Sequence, residues 1–128
     1  MQSAERNGVR LALEEAPGAG PPVVLIHGWC CDHTYLAPQF EHFAKQGRRV
    51  AALDLRGHGA SDKPREPYTA DDFADDVAFV CDHLGLSRAV AIGHSMGGVV
   101  AFALASRHPE LLSALVMLDS GIVLPQAA

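Results

Sequence analysis

Six consecutive residues, Gly93-His94-Ser95-Met96-Gly97-Gly98, set a serine in the pattern G-x-S-x-G, directly after the apolar run Ala89-Val90-Ala91-Ile92. A strand that turns sharply into a helix leaves no room for side chains two residues before and two after the turning residue. Glycine fits there, and the turning side chain is thrust clear of the sheet. The chemistry that suits such a serine is nucleophilic attack on an acyl carbon. Ser95 also stands where a helix begins, so an oxyanion formed beside it faces unpaired N–H groups and the positive end of the helix dipole. That attack needs two N–H donors aimed at the carbonyl oxygen as it gains charge. The backbone N–H of Met96 is one; the N–H of Trp29, in His27-Gly28-Trp29 at the end of another apolar run, is the expected other.

Short apolar runs alternate with helical patterns along the chain. Val9 to Leu13 reads as an initial strand, closed by the turn-rich segment Pro17 to Pro22. The runs Val23–Ile26, Val50–Leu53, Ala89–Ile92 and Leu115–Leu118 are apolar throughout, as in strands covered on both faces. Pro38 opens a helix with Phe40, Phe43 and Ala44 on one face, and Gly47 ends it. Thr69 caps a second, with Asp71 and Asp72 in its first turn, an apolar stripe of Phe73, Val77, Val80, Cys81 and Leu84, and Gly85 as its stop. A third runs from about Met96 to Arg107 and cannot pass Pro109 far. The predicted fold is α/β: a doubly wound, mostly parallel sheet with helices on both faces, whose chemistry gathers at the C-terminal strand ends.

Composition narrows the partners. Ten Lys+Arg against 15 Asp+Glu give a net charge of −5, with no basic run to meet phosphate backbones, so nucleic acid is not an expected partner. Neither a membrane span nor a signal-peptide pattern is expected, which points to the cytoplasm. Three cysteines, an odd number, agree with a reducing compartment. Cys30-Cys31-Asp32-His33 has ligand types but lacks the spacing of zinc pairs, so no metal is predicted and the thiols are expected to pack as small apolar groups.

The chain resembles the N-terminal part of the α/β-hydrolase fold superfamily, closest to its small bacterial carboxylesterases. His27-Gly28-Trp29 matches the family's oxyanion loop, Asp54-Leu55-Arg56-Gly57-His58-Gly59-Ala60-Ser61 the loop after the following strand, and Gly93 to Gly98 its nucleophile elbow. The resemblance implies a cofactor-independent serine hydrolase acting on a small ester, thioester or lactone through an acyl-enzyme. Ser95 would be the nucleophile and the N–H groups of Trp29 and Met96 the oxyanion hole. Arg56 and His58 would buttress the site. Serine at position 95 argues against the haloalkane dehalogenase and epoxide hydrolase branches, which use aspartate there. A C–C bond hydrolase or perhydrolase would use the same parts, and a non-catalytic small-molecule receptor of the same fold is the alternative from another class.

The rest of a catalytic triad is harder to find. The family places its histidine after the last strand, and downstream of Ser95 there is only His108, about 18 Å away along the intervening helix. His94 reads as structural, His27, His33 and His58 as loop-shaping, and His42 and His83 as solvated on helices. Asp119 is the candidate acid; Glu14, Glu15 and the pairs Asp71-Asp72 and Asp75-Asp76 are expected to face solvent. Residues 1–128 are thus expected to form the N-terminal part of a hydrolase domain, without lid, C-terminal part or base, and therefore inactive. The strand Leu115–Leu118 would then be left as an open apolar edge prone to self-association.

Overall fold

The computed structural model describes residues 1–121. Its six strands are β1 (Gln2–Arg6), β2 (Val9–Ala16), β3 (Ala19–Ile26), β4 (Arg48–Leu53), β5 (Ala89–His94) and β6 (Leu112–Leu118); its three α-helices are α1 (Ala37–Lys45), α2 (Ala70–Leu84) and α3 (Met96–Arg107). They form one sheet in the order β1-β2-β4-β3-β5-β6. β4, β3, β5 and β6 run parallel, while β1 and β2 form an antiparallel hairpin joined antiparallel to β4.

The register sets the site. Ile26 lies opposite Leu53 on one side and Gly93 on the other, and His94 lies opposite Leu118. The chain therefore leaves β3, β4, β5 and β6 at one level, presenting His27, Asp54, Ser95 and Asp119 along a single sheet edge. Alternation divides the core. Val24, Ile26, Ala51, Leu53 and Ala91 pack with Phe73, Val77, Val100 and Leu104 of α2 and α3. Val23, Leu25, Val50, Ala52 and Ile92 pack on the other face with Phe40, Phe43 and Ala44 of α1. Leu25, Ile26 and Leu53 are essentially fully buried, each contributing about 1.5–3 kcal/mol of apolar transfer.

Local signals account for the helix ends. Thr69 accepts the Asp72 N–H at 3.1 Å while the Asp72 carboxylate accepts the Thr69 N–H at 3.1 Å, a reciprocal cap. The Thr69 hydroxyl also bonds Asp72 and holds its carboxyl below the ordinary range. Gly85 closes α2 at φ 67°.

Four expectations need correction. β1 was not predicted, because in Gln2–Arg6 only Ala4 is buried and the hydrophobic pattern is faint. β3 begins inside the proline-rich segment, at its exposed end, where a strand tolerates prolines that donate nothing. β6 is not covered on both faces: it pairs with β5 alone among the described residues, and Val116 is 39% exposed. Of the cysteines, Cys81 packs in the core, where burial pushes its thiol up to about 12, but Cys30 is exposed and Cys31 half-buried, because both lie on the loop beyond β3. No described helix is long and apolar enough to cross a membrane.

Candidate active site

Ser95 is the residue on which β5 turns into α3. Its backbone sits at φ 56° and ψ −123°, a conformation costing a non-glycine residue on the order of 1–3 kcal/mol. Close packing holds it there. A Cβ on Gly93 would stand 2.1 Å from the Gly97 carbonyl oxygen, and one on Gly97 would stand 2.1 Å from that of Ile26. Only glycine lets the first turn of α3 lie directly on the ends of β5 and β3. The Ser95 N–H donates to the Leu118 carbonyl at 3.0 Å, which ties the turn to β6 as well, and the serine itself is exposed.

Gly28 faces this serine. A Cβ built there would lie 3.2 Å from Ser95 Cβ and 3.7 Å from Ser95 Oγ, so the His27-Gly28-Trp29 loop and the serine turn are in contact. Met96 opens α3, where an N–H has no carbonyl within the helix to bond. The turn after Gly28 is closed by the Cys31 N–H, which donates to the Gly28 carbonyl at 3.2 Å, and the Cys31 thiol donates to the Trp29 carbonyl at 3.4 Å.

The histidines around the site are committed to structure. His27 Nδ1–H donates to the Gly28 carbonyl at 2.8 Å, and its Nε2 accepts the Leu55 N–H at 3.0 Å. Those partners fix the neutral Nδ1–H tautomer. Burial pushes its pKa below the usual 6.5, against the Gly28 bond, which favours the cation. His58 Nδ1–H donates to the Arg56 carbonyl at 2.9 Å. His33 donates its backbone N–H and Nδ1–H to Asp54 at 2.8 and 2.7 Å, and Asp54 also accepts the Ala60 N–H at 2.9 Å. Asp32, His33 and Asp54 bring ligand-type atoms within 4.8 Å of one another, but the Asp32 carboxylate caps the short helical turn at Thr34, and Asp54 holds its own loop closed.

Among the described residues, no histidine hydrogen-bonds the Ser95 hydroxyl. His94 leaves the turn half-buried, and His42 and His83 are exposed on α1 and α2. His108 ends α3 at the far side of the sheet and bonds Asp75 at 2.9 Å. A concavity of about 500 Å³ lies there too, among Arg6, Asp75, Arg107 and His108; it is remote from Ser95, and these four groups are already paired with one another or with neighbours. Asp119 is exposed at the end of β6, at φ 48°.

One group was misjudged from sequence. Asp76 does not face solvent: it is 0% exposed and accepts from Arg56 Nε and Nη2 at 2.5 and 2.8 Å and from Arg6 Nη1 at 2.9 Å. Its neighbour Asp75 is held at about 2 chiefly by the hydrogen-bonded Arg107 side chain. The signal was present in the spacing, because position 76 falls on the same helical stripe as Phe73, Val77 and Val80.

Comparison with known proteins decides the family. The family model described as alpha/beta hydrolase fold matches residues 21–128. This chain belongs to the alpha/beta hydrolase family. Within it, an AB hydrolase superfamily protein of Bacillus subtilis is 42% identical over 100 residues, covering 78% of this chain and 37% of that protein. A solved esterase of Thermogutta terrifontis superposes with a TM-score of 0.87 at 38% identity, over 94% of this chain and 46% of the other. A solved enzyme described as degrading N-acyl homoserine lactones gives 0.88 at 36% identity, with the same coverages. The chain thus spans less than half the length of these relatives.

Proposed function

We propose that this chain carries the nucleophile and oxyanion hole of a serine hydrolase that opens a small carboxylic ester, thioester or lactone. The observation that carries this reading is Ser95 held at positive φ on a glycine-packed strand-to-helix turn, with Gly28 against its side chain. Ser95 Oγ attacks the acyl carbon as its proton passes to a general base. The carbonyl π electrons move to oxygen, and the N–H groups of Trp29 and Met96 donate to that oxyanion. Collapse expels the alcohol, thiol or ring oxygen, which takes the proton from the base; water then repeats the cycle on the acyl-serine. No cofactor enters these steps. The printed activities of the lactone-degrading and esterase relatives support the substrate class.

The general base is proposed to lie outside residues 1–128, with Asp119 the candidate acid, so the 128-residue chain alone is proposed to be inactive. Turnover of p-nitrophenyl acyl esters tests this: hydrolysis is expected from a protein of the relatives' length carrying this sequence, and none above background from the 128 residues. Comparable turnover by both overturns the division of the triad. The three free thiols support a cytoplasmic setting. The open β6 edge is proposed to pair with a second copy. Light scattering on the isolated chain is then expected to give a dimer or larger species, and a monomer of 13.6 kDa with a cooperative melt contradicts it.

A further inference from the structure

The Trp29 indole is 58% exposed on a loop that turns through φ 59° at Cys30, so burial does not fix its orientation. It is met edge-on by the imidazole of His58, with ring centroids 5.4 Å apart and planes at 77°, an arrangement that the quadrupoles of two aromatic rings favour. His58 is itself held. It is 7% exposed, its Nδ1–H is spent on the Arg56 carbonyl, and the rings of His27 and Phe73 stand 5.1 and 6.0 Å from it. Phe73 is 3% exposed in the α2 core. A chain of rings therefore runs from the core, through His58, to the indole of Trp29, the residue after the Gly28 that faces Ser95.

The peptide between Gly28 and Trp29 is held from its carbonyl end. That carbonyl accepts from His27 Nδ1–H and from the Cys31 N–H. In a trans peptide the C=O and N–H point in opposite directions, so these two bonds turn the Trp29 N–H away from both donors. The backbone of Trp29 is set by His27 and its indole by His58.

We propose that His58 is a positioning residue that acts through Trp29. It clamps the indole, and so steadies from the side-chain end the loop whose Gly28–Trp29 peptide His27 and Cys31 hold beside Ser95. The catalytic consequence rests on the reading of Trp29 as an oxyanion donor; the clamp does not.

Trp29 is the sole tryptophan of the chain, so its fluorescence reports the clamp directly. His58→Leu keeps apolar volume and removes the ring edge; His58→Phe keeps a ring. In the 128-residue chain, His58→Leu is expected to raise acrylamide quenching of Trp29 about twofold and to lower its emission anisotropy. His58→Phe is expected to restore both, since the ring contact is worth up to about a tenfold population difference. Equal quenching and anisotropy in the parent and His58→Leu overturn the proposal. In a protein of the relatives' length, His58→Leu is expected to reduce kcat about tenfold with KM unchanged. A shifted fluorescence with unchanged kcat retains the clamp and overturns instead the role of Trp29 as donor.

Discussion

Ser95→Ala is expected to lower ester turnover by a protein of the relatives' length about 10⁴-fold or more, with stability changed by no more than about 0.5 kcal/mol. The size of the loss follows from the mechanism. Without the hydroxyl no acyl-enzyme forms, and what survives is the modest acceleration that oriented donors give to direct attack by water. The small stability cost follows from the site. Ser95 is exposed, and its backbone, not its hydroxyl, makes the bonds that hold the turn, donating to Leu118 and accepting from the Gly98 N–H at 2.9 Å. Alanine adopts φ 56° at much the same cost as serine. Steady-state turnover paired with a melting curve checks both halves; activity within tenfold of the parent removes Ser95 as the nucleophile.

The largest expected stability effect lies elsewhere, at Asp76→Ala. Asp76 is wholly buried between Arg56, whose side chain is 8% exposed, and Arg6. Removing the carboxylate strands a buried guanidinium, a class of change that costs about 3–5 kcal/mol. Glu66, 3.3 Å from Arg56 Nη1, is 55% exposed and too well solvated to replace it. The damage should spread toward the site, because Arg56 carries the carbonyl that anchors His58. Urea unfolding is expected to record a loss of about 3–5 kcal/mol, against 5–15 kcal/mol for a typical domain. A loss under about 1 kcal/mol would mean that the arginines find other partners and that the network is dispensable.

How much of this was legible before the structure depends on what each signal constrains. The serine turn was legible because two backbone collisions, at Gly93 and Gly97, leave one residue type for each place. The apolar runs of β3, β4 and β5 were legible because a strand segment covered on both faces cannot carry charge, whereas β6 carries the same kind of run at the sheet edge. β1 was not, since an edge strand with one buried residue satisfies its backbone without a hydrophobic pattern. Asp76 was missed because a charge on a helix is usually solvated. Its place on the apolar stripe and the two arginines reaching it from β1 and from the loop after β4 come together only in three dimensions. The histidines were recognised as loop-shaping, but how His27 and His58 share the two ends of Trp29 depends on hydrogen-bond directions that spacing does not encode.

Covalent labelling tests the central claim most directly. A fluorophosphonate probe added to a protein of the relatives' length, followed by digestion and mass spectrometry, is predicted to place the adduct on Ser95, with the 128-residue chain labelled at least about 100-fold more slowly for want of a base. An adduct on another residue, or no adduct in the longer protein, would contradict the assignment of Ser95 as the nucleophile.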